Sequence, residues 1–115
     1  RQIYCVERYR TLIDLSKSRF ATLKLSNIEA YQRDGHTGDP LHAPFDRILV
    51  SAAVPEIPSV LVAQLVPEGI LVLPVGPAGG AQRLLRVVKT EPRPRIDDLG
   101  AVRFVPLVSG VAKVM

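Results

Sequence analysis

The fold of this chain is decided by residues 44–55, which read PFDRILVSAAVP. The segment from Phe45 to Ser51 predicts a buried strand, which ends in a small-residue loop before Pro55. Two further segments have the same form, because residues 3–6 (IYCV) end at Glu7 and residues 71–75 (LVLPV) end at Gly76. In an open α/β sheet, ligands bind in the crevice beyond the carboxyl ends of the strands. These three segments therefore predict a cofactor-binding α/β sheet.

The composition of the 115-residue chain is typical of one globular domain, since 47% of its residues are hydrophobic. No apolar run approaches the roughly 18 residues of a membrane span, and no secretory signal pattern occurs, which predicts a cytoplasmic protein. The net charge is +4, but the basic residues are scattered and aromatic residues make up only 5%. We therefore expect a solvated surface and no nucleic-acid partner. The single cysteine, Cys5, is interpreted as a small apolar core residue.

Periodicity and turn signals predict six strands, at 2–7, 28–33, 45–51, 70–75, 82–90 and 101–107, and two helices, at 8–25 and 58–65. In the first helix, spacings of three and four predict one inward face made of Tyr9, Leu12, Ile13, Ser16, Phe20 and Leu23. Residues 91–95 (EPRPR) predict a connection, because proline cannot donate to a strand ladder. The resulting order, β-α-β-β-α-β-β-β, favours parallel crossovers first and hairpin-like strands after them.

Acidic residues follow the first two predicted strands. Glu7 ends the first strand, where a carboxylate can accept both hydroxyl groups of a ribose. Asp34-Gly35 ends the second strand, where an acceptor beside a glycine suits an adenine amino group lying against backbone. Each has a simpler alternative, since Glu7 could pair with a nearby arginine and Asp-Gly is common in tight turns.

Other candidate residues point less clearly to chemistry. His36 and His42 lie in one loop without the Cys/His spacing of a metal site, so we expect no bound metal. Ser51 lacks the Gly-x-Ser-x-Gly sequence that surrounds a nucleophilic serine in hydrolases. Residues 76–80 (GPAGG) could face a ligand through backbone N–H groups or form a plain hairpin turn, and the residues leave both open.

Together these segments resemble the protein-L-isoaspartate O-methyltransferase family. The matching stretches run in family order over nearly the whole chain: 4–8 (YCVER), 34–35 (DG), 43–50 (APFDRILV), 52–58 (AAVPEIP), 64–69 (QLVPEG), 73–82 (LPVGPAGGAQ) and 103–107 (RFVPL). The Pro-Val-Gly loop and the Val-Pro-Leu ending are the specific features, whereas strand-end acids are shared by many methyltransferases.

The resemblance implies transfer of a methyl group from S-adenosylmethionine to the free carboxylate of isoaspartyl residues in damaged proteins. It implies that Glu7 holds the cofactor ribose, that Asp34 and Gly35 contact the adenine, and that Ser51 belongs to the cofactor site. It also implies a peptide crevice shaped by Ala53, Val54, Pro55, Val75, Gly76, Val105, Pro106 and Leu107. A complete enzyme of this kind is expected to be a monomer.

The chain also departs from the family pattern. It begins at Arg1, so we expect the family's first strand, its glycine-rich loop and its serine-containing loop to precede it, and we assign no catalytic residue. Residues 1–115 are then a partial methyltransferase domain with an incomplete Rossmann-like sheet, mostly parallel, with antiparallel strands toward the carboxyl-terminal end. Glu68 stands where the family usually has a glycine. The isolated chain is expected to bind the cofactor weakly and to be inactive, and the alternatives are a non-catalytic α/β interaction module or a small-molecule methyltransferase.

Overall fold

The computed structural model describes residues 1–112 and contains the predicted elements in the predicted order, with one short 3₁₀ turn at Gly35–Thr37. The elements are β1 (Ile3–Glu7), α1 (Arg10–Thr22), β2 (Ile28–Gln32), β3 (Phe45–Leu49), α2 (Ser59–Ala63), β4 (Leu65–Val75), β5 (Gln82–Val88) and β6 (Arg95–Val102). They form two compact units. The first is Arg1–Gly35 with the described residues from Val108 onward, and the second is His36–Leu107.

The first unit is built on a parallel pair of strands. β1 and β2 run in register from Ile3 opposite Ile28 to Glu7 opposite Gln32, and α1 connects them. Residues after Val108 return to this unit, since the Ala112 N–H donates to the Arg8 carbonyl at 2.9 Å. Cys5 is half-buried in β1, and burial raises the pKa of its thiol, as expected for an unreactive packing residue.

The predicted inward face of α1 is only partly correct. Ile13 is buried at 3% exposure, but Leu12 is 40% exposed and Leu23 is 67% exposed. A two-stranded sheet is narrow, so it covers a single stripe of the helix rather than a full apolar face. The helix begins at Arg10 and ends at Thr22, inside the predicted 8–25, because Tyr9 is extended and Lys24 adopts a positive φ of 57°.

The second unit is a mixed four-stranded sheet in the order β3-β4-β5-β6. β3 and β4 are parallel, whereas β4–β5 and β5–β6 are antiparallel, which confirms the α/β class and its antiparallel carboxyl-terminal end. α2 packs Leu61 onto this sheet. The buried core consists of Val54, Leu61, Leu65, Leu71, Leu73 and Val87. Among the described residues, β1 pairs only with β2 and β3 only with β4, so each leaves an edge without a strand partner.

Two strands, β4 and β6, differ from the prediction by more than two residues at an end. β4 begins at Leu65 rather than residue 70, because a bulge absorbs Val66 to Gly69 between the pairings Phe45–Leu65 and Arg47–Ile70. The last strand is Arg95–Val102 rather than 101–107, and Arg95 belongs to it instead of the connection. The prediction followed the apolar residues near 104–107, but pairing with β5 selects the charged segment before them.

Candidate functional site

The carboxylate of Glu7 is held in place by the backbone that follows β1. Its Oε1 accepts the N–H of Arg8 at 2.9 Å and the N–H of Tyr9 at 3.4 Å. Within residues 1–112 the structure shows no partner for Oε2 of this half-buried side chain. Glu7 is therefore an oriented carboxylate whose second oxygen can accept hydrogen bonds from a ligand. Among the described residues, Glu7 does not form the ion pair with an arginine that was the alternative interpretation.

Asp34 and Gly35 lie at the same edge of the two-stranded sheet as Glu7. The Arg33 N–H donates to the Glu7 carbonyl at 3.0 Å, which carries the parallel pairing one residue beyond β2. Asp34 comes next and is half-buried, and Gly35 opens the 3₁₀ turn. Parallel neighbours end on the same side, so two acids spaced far apart in sequence come to one edge of the sheet, as predicted.

Three predicted crevice segments meet in the second unit through backbone hydrogen bonds. The Ala53 N–H donates to the Val105 carbonyl at 2.7 Å, and the Leu107 N–H donates to the Ala53 carbonyl at 2.8 Å. On the other side, the Val54 N–H donates to Pro74 at 3.1 Å. Ala53 and Val54 are buried, while Pro55, Val105 and Pro106 are exposed beside them. This cluster has a fixed backbone and an open surface.

Gly76 completes the cluster. Its N–H donates to the Val54 carbonyl at 2.9 Å, directly after Val75 has bridged to Val54. Its φ is +151°, and a Cβ there would lie 2.8 Å from the Ala81 carbonyl oxygen. Only glycine fits this close approach. Residues 76–81 join the antiparallel strands β4 and β5, so the loop is a hairpin connection whose first residue belongs to the crevice cluster.

Ser51 follows β3 in the second unit and is exposed. The preceding residue, Val50, continues the parallel pairing with its N–H on the Val72 carbonyl at 2.9 Å. Ser51 thus stands at the carboxyl end of a parallel strand, two residues before the buried Ala53. Its predicted place in a cofactor site stays a prediction.

His42 is paired with a carboxylate of its own loop. His42 Nδ1 lies 2.7 Å from Oδ2 of Asp39, a carboxylate that is almost fully buried. Throughout the described residues 1–112, no group of three His, Cys, Asp or Glu side chains is placed to hold a metal ion. In the same range, no helix is both long and apolar enough to cross a membrane.

Two glutamines that the sequence analysis did not select organise these loops. The Gln64 amide accepts the Asp39 N–H at 2.9 Å and donates to the Thr37 carbonyl at 2.9 Å, which holds the loop after Asp34-Gly35. The Gln82 amide is fully buried and bonds Pro77 and Phe104. The sequence indicates these roles only weakly, by placing each glutamine at the boundary of an apolar strand.

Comparison with known proteins adds a family to this geometry. Residues 1–112 match the family model described as Protein-L-isoaspartate(D-aspartate) O-methyltransferase. A protein named Protein-L-isoaspartate O-methyltransferase from Paramagnetospirillum magneticum is 49% identical over 112 residues, covering 96% of this chain and 52% of the relative. One of the same name from Parvibaculum lavamentivorans is 45% identical, covering 98% of this chain and 52% of the relative.

Solved structures share the fold. A structure titled protein-L-isoaspartate O-methyltransferase superposes with a TM-score of 0.85 at 24% identity, over 94% of this chain and 34% of that one. The Plasmodium falciparum structure of a putative protein of that name, in complex with S-adenosyl-L-homocysteine, gives a TM-score of 0.77 at 24% identity, over 93% of this chain and 52% of that one. The chain spans about half the length of the relatives named here. On the match of residues 1–112, this chain belongs to the protein-L-isoaspartate (D-aspartate) O-methyltransferase family.

Proposed function

We propose that this chain is part of an S-adenosylmethionine-dependent protein-L-isoaspartate O-methyltransferase, which methylates the free carboxylate of isoaspartyl residues in damaged proteins. The observation that carries the proposal is the family match over residues 1–112. The placement of Glu7 with Asp34-Gly35 at one sheet edge supports it. So does the backbone-bonded cluster of the three crevice segments.

The residues at the end of β1 and β2 suit a nucleoside. The Glu7 carboxylate is already oriented by two backbone N–H groups, so accepting ribose hydroxyls requires little reordering. Gly35 has no side chain, so a flat ring such as adenine could approach its backbone closely. Acidic residues at this position of an α/β sheet read ribose hydroxyls in other nucleotide-binding folds. When bound, S-adenosylmethionine supplies a methyl group activated for transfer to a nucleophile.

The cluster of Ala53–Pro55, Val75–Gly76 and Val105–Leu107 suits an extended peptide. Its backbone is fixed by the four hydrogen bonds described above, and its outer side chains are mainly apolar. The substrate carboxylate is itself the nucleophile, so the protein's task is to hold it in line and to exclude water. Positioning of this kind supplies roughly 7–11 kcal/mol in the best intramolecular models. No residue of this chain is assigned a covalent role.

The first test maps S-adenosylhomocysteine onto the chain by nuclear magnetic resonance, which detects weak binding. We expect saturable shifts at the amides of Glu7, Asp34 and Gly35. Glu7→Gln should weaken these shifts severalfold, because an amide replaces one carboxylate acceptor with a donor. The control is Glu29→Gln, on the neighbouring strand β2, which should leave binding unchanged. Shifts absent from these three amides would contradict the cofactor assignment.

The second test concerns the reaction. The complete product of the coding region should methylate a peptide that contains isoaspartate and should not methylate the same peptide with ordinary aspartate. Equal methylation of both peptides, or of neither, would contradict the proposed substrate. The cytoplasmic location and the monomeric state of the complete protein stay predictions.

A non-catalytic interaction module is the second candidate. Two observations favour it, since the chain spans about half the length of its relatives and β1 and β3 each keep one edge without a strand partner among the described residues. Unpaired edges of this kind can accept a strand from a partner. A chain that binds a partner protein at these edges, without S-adenosylhomocysteine binding, would support this candidate over the enzyme.

A further inference from the structure

Gln82 is the most completely buried polar side chain described in the second unit. It is the first residue of β5 and has no exposed surface. Each buried polar group left without a hydrogen bond costs roughly 1–3 kcal/mol of stability. A buried amide is therefore tolerated only where its N–H groups and its oxygen have hydrogen-bond partners. Its Oε1 accepts the Phe104 N–H at 2.7 Å, and its Nε2 donates to the carbonyls of Phe104 at 3.1 Å and Pro77 at 3.2 Å.

These bonds replace a strand ladder where the ladder has ended. β6 stops at Val102, opposite Gln82 in the antiparallel pairing. Two residues later, both backbone groups of Phe104 pair with the Gln82 side chain, as they would with a neighbouring strand. The third bond reaches the hairpin loop at Pro77. One amide therefore joins the segment after β6 to the loop that contains Gly76.

The segment held by Gln82 is the one that meets Ala53. Directly after Phe104, the Val105 carbonyl accepts the Ala53 N–H at 2.7 Å and the Leu107 N–H donates to the Ala53 carbonyl at 2.8 Å. A shift of Phe104 by even one residue would break both bonds. Within the described structure, the distance between Ala53 and Val105–Leu107 thus depends on the side chain of Gln82, which does not itself line the crevice cluster.

We propose that Gln82 is a positioning residue for the peptide crevice. Its amide fixes the position of Val105–Leu107 relative to Ala53 and thereby controls the affinity for isoaspartyl peptides. The identity of the ligand, an isoaspartyl peptide, rests on the proposed function. The positioning by Gln82 rests on the hydrogen bonds described above.

The test compares two variants that remove different parts of the amide. Gln82→Met keeps an unbranched chain but no hydrogen-bonding amide, and Gln82→Glu keeps an acceptor for Phe104 but loses both N–H donors and faces two carbonyl oxygens. Leu84→Met, on the same strand, is the control for methionine at β5. Amide hydrogen exchange of Phe104, Ala53 and Leu107 is measured in each protein.

We expect exchange at Ala53 and Leu107 to accelerate on the order of tenfold in both Gln82 variants, with Leu71 and Val87 in the core unchanged. Leu84→Met should leave all of these rates near the original. Unchanged protection of Leu107 in Gln82→Met would overturn the proposal. If both variants unfold, the unmodified chain decides it, because the Gln82 side-chain N–H groups must exchange slowly and rapid exchange would contradict their hydrogen bonds.

A binding comparison separates positioning from general stability. The Gln82 variants should bind an isoaspartyl peptide at least about tenfold more weakly, while their S-adenosylhomocysteine shifts at Glu7 and Gly35 stay as in the unmodified chain. Equal loss of both ligands would indicate a general structural role and overturn the proposal. If the unmodified chain binds no isoaspartyl peptide, the comparison is made in the complete product of the coding region, and absence of peptide binding there would contradict the proposed function. In either case the exchange rates decide separately whether Gln82 positions Val105–Leu107.

Discussion

Arg86 and Asp97 are direct partners across β5 and β6, with Arg86 Nη2 2.9 Å from Asp97 Oδ2. Next to them, Arg83 contacts Asp98 through Nε at 2.9 Å. The hydrogen bond from Arg86 lowers the pKa of Asp97 below its ordinary value of 3.8, and the bond from Arg83, followed by that from the Gly100 N–H, lowers the pKa of Asp98. These two ion pairs join β6 to β5 in addition to the backbone hydrogen bonds between the strands.

The pairs predict a loss of stability in acid. A carboxylate whose pKa is lowered by folding stabilises the native state above about pH 3.8, and this stabilisation is lost as the pH falls through the lower, folded pKa. Urea midpoints should therefore fall between pH 5 and pH 3. The double variant Asp97→Asn, Asp98→Asn should show a smaller fall over this range. An equal fall in both proteins would contradict a role for these pairs.

Lys24 occupies a position that favours glycine. It follows α1 with a φ of +57°, its N–H bonds the Ala21 carbonyl and the Leu25 N–H bonds the Phe20 carbonyl, which together form a Schellman motif. Lys24→Gly should raise the free energy of unfolding by about 1 kcal/mol, because glycine adopts this conformation without steric penalty. Lys17→Gly, inside α1, should instead lower it by about 1 kcal/mol. Thermal unfolding of both variants tests whether the two changes in the free energy of unfolding have opposite signs.

Glu68 is the second non-glycine residue with a positive φ, +67°, and lies in the bulge of β4. Its N–H donates to the Lys89 carbonyl at 2.9 Å, so the backbone is held in this conformation. Glu68→Gly should stabilise the chain by about 1 kcal/mol for the same steric reason. Glu56→Gly, at an exposed residue without a positive φ, is the control and should not stabilise. A lower melting temperature for Glu68→Gly would show that its side chain compensates for the strain.

Gly76 and Gly79 lie in one hairpin loop but differ in their surroundings. A Cβ at Gly76 would lie 2.8 Å from the Ala81 carbonyl oxygen and 2.9 Å from Gln82 Cα, whereas a Cβ at Gly79 would contact nothing within 4 Å. Gly76→Ala should therefore lower the free energy of unfolding by about 2 kcal/mol or more, through both clash and backbone strain. Gly79→Ala should cost only about 1 kcal/mol for its φ of +70°. Similar losses in chemical denaturation would contradict the steric argument.

The position of a candidate residue was predictable where it follows directly from the residue's place along the chain. Glu7 and Asp34 were selected because each comes directly after an apolar strand, and parallel strands carry such residues to one edge. The crevice segments were selected by resemblance, and their meeting at Ala53 depends on hydrogen bonds to a segment more than 50 residues away. Gln82 was not selected, because nothing in its local sequence distinguishes a buried amide from an exposed one.

The sequence by itself determined the kinds of elements and their order, because helical and strand periodicity, prolines and glycines act over a few neighbouring residues. Its resemblance to the family was carried separately, by matching motifs along the chain. Tertiary structure alone decided where the last strand lies and what holds the chain after it. β6 occupies Arg95–Val102 because this segment completes the antiparallel backbone ladder with β5, where Asp97 and Asp98 also meet arginines. Phe104 is fixed because the buried Gln82 amide bonds its backbone. These contacts join residues 11 to 22 positions apart, and no local pattern encodes such a pairing.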